Sequence, residues 1–283
     1  MATRPRKRYA QHWLRSEKAL NRIVVAAELD DCDRILEIGP GTGVLTRRLL
    51  PQAQAVVAVE IDRDLCQKLV KSLGEKENFL LLQGDILSLD LEANLAAFPS
   101  FQNPNKVVAN IPYNITGPIL TKLLGTISQP AKEKFTSIVL LVQREIALRL
   151  CANPGSRNFG LLSVRVQYLA TCELICTVPA KAFYPPPKVE SAVVRLRPQP
   201  RDKQPNKPRY METLLKMGFS SKRKMLRNNL KAIIASDHLS HVLEQLEINP
   251  QARAEDLKVE DWINLSDKLE TLVNTFPQLK TKN

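Results

Sequence analysis

Short apolar runs alternate with longer amphipathic segments through the first half of the chain. The runs at residues 35–38, 55–59, 79–83, 106–109 and 137–142 have the length of β-strands. Segments whose apolar residues recur at helical spacing lie between them. Because strands that alternate with helices form parallel sheets, this pattern predicts a doubly wound α/β domain.

The segment before the first run has the pattern of an amphipathic helix. It spans residues 16–28, with Ser16 as its N-cap, and its apolar face consists of Leu20, Ile23, Val24 and Ala27. Residues 1–15, which precede the helix, are basic and contain no acid. We expect them to form a mobile arm.

The pattern changes after residue 161. Two strand-like segments, at residues 164–177 and 189–196, are joined by a proline-rich connection that contains no helix. We therefore expect this pair to be antiparallel and to close the sheet at seven strands.

A polar, proline-bearing stretch at residues 198–208 is the best candidate for a domain boundary. Beyond it, residues 210–280 contain several short helical patterns. The sequence therefore predicts a first domain over residues 1–200 and a small all-α domain over residues 208–283.

A glycine-rich turn follows the first strand. Gly39, Gly41 and Gly43 are spaced two residues apart, between the apolar run and an apolar segment of helical pattern. Backbone without side chains lets a ligand lie directly against the chain. The alternative is a turn that serves packing alone, because this spacing differs from the dinucleotide fingerprint at its third glycine.

Polar side chains at the ends of the following strands favour a ligand site. Glu60 ends the second strand, where a carboxylate can accept hydrogen bonds from ribose hydroxyls. Asp85 ends the third strand, where it can accept a hydrogen bond from the amine of an adenine, and Asn110 ends the fourth. We expect these side chains and the glycine turn to line one crevice.

The ligand that suits this crevice best is S-adenosylmethionine. No Walker lysine follows the glycines, and the nearest basic residue is Arg47. A pyrophosphate would therefore lack a counter-charge, whereas an adenosine that carries a sulfonium suits an acidic pocket. The sequence favours S-adenosylmethionine over NAD or ATP.

The tetrapeptide Asn110-Ile111-Pro112-Tyr113 follows the fourth strand. An amine on an aromatic base is a poor nucleophile, because its lone pair is delocalised into the ring. The Asn110 side chain and the Pro112 carbonyl can accept its two hydrogens and favour a pyramidal nitrogen, while Tyr113 stacks on the base. The alternative is that Asn and Pro only mark a turn before a helix.

A base must leave its helix to reach such a pocket. Phe183, which precedes the proline turn at residues 185–187, has two interpretations that the sequence leaves open. It covers the other face of the extruded base, or it is a core aromatic at the end of a strand.

The net charge of +12 is concentrated in two segments. Residues 195–231 contain twelve lysines and arginines and two acids, while residues 1–15 contain five basic residues and no acid. Such clusters are typical of nucleic-acid binding, whereas scattered charge would indicate a solvated surface.

No pair of the five cysteines has Cys-x-x-Cys spacing, so we expect free thiols in a reducing cytoplasm and no metal site. No apolar run has the length of a membrane span.

Five segments carry a family resemblance: residues 6–14 (RKRYAQHWL), 37–43 (EIGPGTG), 110–115 (NIPYNI), 183–191 (FYPPPKVES) and 219–224 (FSSKRK). In this order, over nearly the whole chain, they resemble the KsgA/RsmA family of small-subunit rRNA adenine N6-dimethyltransferases. The resemblance implies a Rossmann-like, SAM-dependent methyltransferase domain followed by a small helical RNA-binding domain.

The resemblance also implies a reaction: transfer of four methyl groups, two to each N6 amine of two adjacent adenosines. These adenosines lie in the hairpin loop near the 3′ end of small-subunit (16S) rRNA, and the enzyme acts late in assembly of the pre-30S particle. The implied cofactor contacts are His12, Leu14, Gly39, Gly41, Glu60, Asp85 and Asn110. The family usually has Asn at the position of His12 and Phe at that of Trp13. A backbone contact by residue 12 would survive this difference, whereas a side-chain contact would not necessarily do so, and the sequence leaves the two open.

The expected RNA-binding residues are Arg6, Lys7 and Arg8 in the arm, and Lys222, Arg223, Lys224 and Arg227 in the second domain. On a helix, a basic stripe of Arg223, Arg227 and Lys231 would lie beside apolar Leu226, Leu230 and Ile233. This segment distinguishes the small-subunit family from the resistance methyltransferases of large-subunit rRNA. A monomer is the default expectation, since no interface-like apolar patch is visible in the sequence.

Two other functions compete with this hypothesis. One is a large-subunit rRNA or DNA adenine methyltransferase. The other is a non-catalytic assembly or transcription factor that keeps the fold and binds RNA. The intact Asn110/Tyr113 and Glu60/Asp85 pairs argue against the second.

Overall fold

The computed structural model describes residues 5, 6, 9, 11–132 and 135–275. These residues divide into two compact units. The first consists of the described residues of Met1–Gly125, Ala131–Ala147 and Thr171–Pro198, and the second of those of Thr126–Pro130, Leu148–Ala170 and Gln199–Asn283.

The strands are short and mostly apolar. In chain order they are β1 (Trp13–Leu14), β2 (Arg34–Ile38), β3 (Ala55–Glu60), β4 (Phe79–Gln83), β5 (Lys106–Asn110), β6 (Ser137–Gln143), β7 (Ala170–Val178), β8 (Phe183–Tyr184) and β9 (Ser191–Pro198). Strands β1 and β8 pair as a small antiparallel ribbon. The others form one seven-stranded sheet.

The seven-stranded sheet has the order β4-β3-β2-β5-β6-β9-β7. The first five strands in this order, from β4 through β3, β2 and β5 to β6, run parallel. Strand β9 runs antiparallel to β6. The predicted Rossmann-like architecture with an antiparallel last strand is confirmed. Chain order reverses between β2 and β5, and in open α/β sheets such a reversal creates a crevice at the carboxyl ends of the strands.

Helices occupy most of the remaining described chain. They are α1 (Glu17–Ala27), α2 (Thr46–Leu49), α3 (Arg63–Leu73), α4 (Leu91–Leu95), α5 (Thr116–Leu124), α6 (Arg144–Leu150), α7 (Leu161–Leu169), α8 (Pro208–Gly218), α9 (Leu226–Asn229), α10 (Ser236–Gln245) and α11 (Val259–Thr275).

The central strands are apolar because both faces of the sheet are buried. Every residue of β3 is buried. The helix predicted before β2 is confirmed as α1, and the hydroxyl of its N-cap Ser16 accepts the backbone N–H of Ala19 at 3.3 Å. Leu20 and Ile23 of this helix belong to the same apolar cluster as the sheet residues.

The strand predicted over residues 164–177 is wrong in its first half. Leu161–Leu169 form helix α7, and β7 begins only at Ala170. The β-branched residues of this stretch favoured a strand. However, Val164 and Tyr168 lie four residues apart and are buried together in the apolar core of the second unit. Burial of this helical face overrides the local β propensity.

The second unit has its own apolar core, in which Trp262 is fully buried. Helix α8 passes so close to this residue that a Cβ atom at Gly218 would collide with Trp262 Cη2. The second unit also contains Leu148–Ala170, because α7 packs into this core. The sequence had predicted that these residues belong to the first domain, residues 1–200. Across the described ranges, no helix is both long and apolar enough to cross a membrane.

Candidate active site

A cavity of about 320 Å³ lies in the first unit, at the carboxyl ends of β2, β3, β4 and β5. Parallel strands end at the same edge of a sheet, so residues far apart in the chain meet here. The lining includes most of the predicted site residues: His12, Gly39, Gly41, Glu60, Asp85, Asn110, Pro112 and Tyr113.

The glycine turn needs glycine for its backbone conformation. Gly39, Gly41 and Gly43 have φ angles of 67°, 59° and 76°, which disfavour residues with a Cβ. Gly43 is also closely packed, since a Cβ there would lie 2.8 Å from Leu69 Cδ2 of helix α3. Gly39 and Gly41 instead present bare backbone to the cavity. The turn therefore serves packing at its third glycine and access at the first two.

Glu60 is a buried carboxylate at the end of β3. Its Oε2 accepts the backbone N–H of Gly41 at 3.1 Å, and its Oε1 accepts that of Asp62 at 2.9 Å. Burial raises the pKa of Glu60 above its ordinary value, although these two backbone hydrogen bonds oppose the rise. Since a carboxylate has about four acceptor positions, Glu60 keeps lone pairs for a ligand while the backbone fixes its direction.

Glu37 is a second buried acid, which the sequence analysis did not single out. It lies in β2 directly before the glycine turn, and only 1% of it is exposed. Burial raises the pKa of Glu37 to about 8; interactions with Thr46 oppose this rise and the nearby Glu60 adds to it. A polar residue in the middle of the apolar run 35–38 was the signal available in the sequence.

Asp85 reaches the cavity from the turn after β4. Its Oδ1 accepts the backbone N–H of Leu87 at 2.9 Å, which fixes the carboxylate. The backbone N–H of Gly84 donates to the carbonyl of Glu60 at 2.9 Å and holds this turn against β3. The two carboxylates predicted for the adenosine therefore line the same cavity.

Asn110 is oriented by a backbone carbonyl. Its Nδ2 donates to the carbonyl oxygen of His12 at 3.2 Å. Because only the amide nitrogen can donate, this bond assigns the amide orientation and leaves Oδ1 as an acceptor. Pro112 also lines the cavity, and its carbonyl accepts the N–H of Ile115 at 3.3 Å, which leaves that oxygen one lone pair.

Tyr113 is held at its hydroxyl. The Tyr113 OH and Ser191 Oγ lie 2.5 Å apart, and Ser191 is fully buried at the start of β9. Burial raises the pKa of Tyr113, while the hydrogen bond to Ser191 opposes the rise. In the sequence, Ser191 is the last residue of the family segment 183–191, and no local pattern predicts a role for it.

Two of the predicted catalytic and cofactor-binding residues do not line the cavity. Leu14 is buried in the apolar cluster of the sheet, and so is Phe183, of which 4% is exposed. The two residues pair with each other in the ribbon of β1 and β8. For Phe183, this placement agrees with the interpretation as a core aromatic. Its neighbour Tyr184 is the exposed aromatic of this segment, at 44%.

The model of the ribosomal RNA adenine dimethylase family matches residues 2–271 of the chain. The chain belongs to this family. It is an adenine dimethyltransferase of ribosomal RNA, and its methyl donor is S-adenosylmethionine. The predicted enzyme class and cofactor are thereby confirmed.

Named relatives of the dimethylase match more than nine-tenths of its length. Ribosomal RNA small subunit methyltransferase A from Nostoc sp. is 68% identical over 266 residues, which cover 94% of this chain and 98% of the relative. The crystal structure of a dimethyladenosine transferase from Plasmodium falciparum has a TM-score of 0.75 and 28% identity, and the match covers 92% of this chain and 98% of that one. The 23S rRNA methyltransferase ErmE has a TM-score of 0.71 and 25% identity, over 91% and 99% of the two chains.

The cavity of this dimethylase has the hydrogen-bond acceptors that S-adenosylmethionine requires. Two carboxylates, Glu60 and Asp85, face an apolar surface formed by residues such as Ile61 and Ile86. Such a surface suits an adenine ring, and the carboxylates suit its amine and the ribose hydroxyls. The acidic lining also suits a sulfonium cation.

The basic arm at the N-terminus is only partly described. Lys7 and Arg8, which the sequence analysis assigned to RNA, lie outside the described residues. Arg6 is engaged with the protein: its guanidinium pairs with Asp62 at 3.0 Å and also with Asp64. Gln11 Nε2 donates to the same Asp62 at 3.1 Å. These contacts hold the segment that carries His12 against the start of α3.

The basic residues of the second unit do not form the predicted helical stripe. Only Leu226–Asn229 are helical (α9), and residues 221–224 form a turn before it, here named the basic turn. The main chain at Met225 is extended, with a ψ of 148°, so the turn and α9 cannot be one helix. The backbone N–H of Leu226 instead donates to the Ala252 carbonyl at 2.8 Å.

The basic turn is fixed by side chains that bind backbone carbonyls. Lys222 Nζ donates to the carbonyl of Phe159 at 3.1 Å. Asn229 Nδ2 donates to the carbonyls of Gly218 at 2.6 Å and Ser221 at 3.0 Å. Lys222 therefore stabilises the turn by its contacts.

The other predicted cations differ in exposure. Arg223 and Lys224 are exposed at the basic turn. Arg227 is half-buried in α9, where its guanidinium lies 3.5 Å from Ser240 Oγ. The structure brings these cations together on one short segment of the second unit.

Proposed function

We propose that this dimethylase acts on small-subunit (16S) rRNA and adds two methyl groups to the N6 amine of each of two adjacent adenosines. The adenosines lie in the hairpin loop near the 3′ end, and the enzyme acts on a pre-30S particle late in assembly. It works in the cytoplasm as a monomer. The observation that carries the chemistry is the orientation of Asn110, whose amide nitrogen is already bound by the chain.

The residues proposed to hold the donor are the carboxylates at the strand ends and the bare backbone of the glycine turn. Glu60 accepts hydrogen bonds from the ribose hydroxyls, and Asp85 accepts one from the adenine amine. Both carboxylates use lone pairs that their backbone hydrogen bonds leave unused. Bound S-adenosylmethionine supplies an electrophilic methyl group on a positively charged sulfur. Gly39 and Gly41 allow the ligand to approach the main chain.

The acceptor amine is activated by hydrogen bonds alone. Asn110 Oδ1 and the Pro112 carbonyl each accept one hydrogen of the target amine, which draws the nitrogen toward a pyramidal geometry and returns its lone pair from the ring. Because Asn110 Nδ2 is bound to His12, the side chain cannot rotate to present a donor instead. A general base is unnecessary, since the nitrogen is positively charged once it has gained the methyl group and then gives up its proton readily to water.

Tyr113 provides the stacking surface for the extruded adenine. Its ring cannot swing away freely, because the hydroxyl is anchored to the buried Ser191. A fixed aromatic ring costs little entropy on binding and holds the base in line with the methyl group. Phe183 contributes by supporting the β1–β8 ribbon from the core.

The second unit is proposed to bind RNA phosphates through its basic turn and α9. Arg223 and Lys224 are exposed on a turn that Lys222 and Asn229 hold in shape. Cations on a fixed turn lose less entropy when they bind phosphates than cations on a flexible tail. The small-subunit substrate is supported by the relative that carries that name at 68% identity, compared with 25% for the 23S methyltransferase.

The test is to locate the methylated adenines by mass spectrometry. Small subunits from a strain that lacks the enzyme are incubated with the protein and S-adenosylmethionine, and large subunits from the same strain are the control. We expect two adjacent dimethyladenosines in the 3′-terminal hairpin of small-subunit rRNA. Methylation of large-subunit rRNA alone would favour the competing substrate, and binding without methylation would favour a non-catalytic factor.

A further inference from the structure

We propose that His12 is a positioning residue of the acceptor site, which fixes both Asn110 and Tyr113. The family resemblance instead implies that His12 contacts the cofactor. This inference rests on the proposed function, because it assigns His12 to the side of the pocket that holds the base.

The imidazole of His12 stacks on the Tyr113 ring. The two ring centroids are 5.8 Å apart and the ring planes differ by 15°. Offset stacking of this kind restricts rotation of the tyrosine about its side-chain bonds. Tyr113 is thus held at two places, by Ser191 at its hydroxyl and by His12 at its ring.

The imidazole is itself fixed by the main chain. His12 Nδ1 lies 2.7 Å from the carbonyl oxygen of Pro185, in the turn after β8. Because a carbonyl can only accept, Nδ1 carries the proton in this contact. Strand β8 pairs with β1 directly beside His12, so the ribbon sets the distance between the histidine and this turn.

The main chain of His12 performs a second task. Its carbonyl accepts the Asn110 amide at 3.2 Å and thereby aims Asn110 Oδ1 as an acceptor. One residue consequently orients the hydrogen-bond acceptor through its backbone and the stacking ring through its side chain. A substitution at position 12 removes only the side-chain contacts, those with Tyr113 and Pro185, because every residue has the main-chain carbonyl.

The experiment compares three substitutions of His12. His12→Phe keeps a ring for stacking and loses the bond to Pro185, His12→Asn loses the ring, and His12→Ala loses both. The turnover number and KM for methyl transfer to unmethylated small subunits are measured together with donor affinity by calorimetry. We expect the turnover number to fall about three- to tenfold in His12→Ala and His12→Asn. His12→Phe should recover most of it, and donor affinity should change less than about twofold.

Other outcomes separate this inference from a cofactor role. Loss of donor affinity in His12→Ala, with an unchanged turnover number at saturating donor, would overturn it in favour of a side-chain contact to the cofactor. Unchanged kinetics in all variants would also overturn it, since the stack would then have no effect on the reaction.

A spectroscopic measurement tests the contact independently of the substrate. In protein with carbon-13-labelled tyrosine, the Tyr113 ring signal should move in His12→Ala, while the signals of Tyr168 and Tyr210 stay in place. Wild-type protein that methylates no adenine would contradict the proposed function, and this signal would still decide whether His12 fixes Tyr113. An unmoved Tyr113 signal would overturn the inference even if the enzyme is active.

Discussion

The cavity and the basic turn hold their polar side chains in opposite ways. In the cavity, Glu60 is buried and Asp85 is half-buried, and backbone N–H groups bind both carboxylates. At the basic turn, backbone carbonyls bind Lys222, and Arg223 and Lys224 remain exposed. Each region therefore uses the main chain to fix a charge of one sign.

This difference shows what each region requires. A methyl group must meet its acceptor in line, so the groups in the cavity must be fixed to within a fraction of an ångström. A phosphate contact tolerates more movement, because the attraction between opposite charges has little directional preference. Substitutions in the cavity should consequently change the rate by large factors, whereas substitutions at the turn should change affinity gradually.

The largest effect is expected for Asn110→Ala. It removes the acceptor that draws the amine out of conjugation, and loss of one directed hydrogen bond in an active site lowers the turnover number about 10²–10³-fold. The assay is methyl transfer to unmethylated small subunits. Asn94→Ala, at an exposed position on α4, is the matched control. Retention of wild-type turnover in Asn110→Ala would show that the proposed activation is wrong.

A smaller effect is expected on the pH dependence of stability. The pKa of Glu37 is raised to about 8 in the folded protein, compared with about 4.5 in the unfolded chain. Between these two pH values the folded state therefore keeps a proton that the unfolded state has lost. The resulting stabilisation is complete below the unfolded value and is lost as pH rises toward 8. Between pH 6 and pH 8, the wild type should lose on the order of 2 kcal/mol from this group.

Glu37→Gln tests this prediction because glutamine does not titrate. Its free energy of unfolding, measured by urea denaturation, should change less over this pH range than that of the wild type. The exposed Glu77→Gln serves as the control and should follow the wild type. Equal pH dependence in Glu37→Gln and the wild type would mean that Glu37 is ionised in the folded protein.

The smallest effect is expected at the second region, for Arg223→Ala combined with Arg227→Ala. The affinity for small-subunit rRNA should fall, and the slope of log affinity against log salt should become shallower by about one per lost phosphate contact. Donor affinity should stay unchanged. Lys71→Ala with Lys76→Ala, two exposed lysines of the first unit, removes the same charge. If both double variants change the slope equally, the basic turn has no special part in RNA binding.

The sequence predicted the cavity better than the basic turn, for a physical reason. The parallel strands follow from apolar runs, and the strand ends place Glu60, Asp85 and Asn110 at one edge. This reasoning needs only local patterns and the rules of sheet topology. The basic turn depends on contacts such as that of Asn229 with the Ser221 carbonyl, which no local pattern reveals.

The contacts that the sequence analysis missed are contacts between distant parts of the chain. Ser191 reaches Tyr113 across 78 positions, and His12 reaches Pro185 across 173. Helix α7 was predicted as a strand because only local β propensity is visible in the sequence. Its burial in the core of the second unit, which decides its conformation, is not. Phe183 lies in the core because β8 pairs with β1, although its sequence allowed either interpretation.

The most direct test of the account is a crystal structure with bound S-adenosylmethionine. We expect the ribose hydroxyls at Glu60, the adenine amine at Asp85 and the sulfonium methyl group facing Asn110. Donor bound away from these three side chains would contradict it.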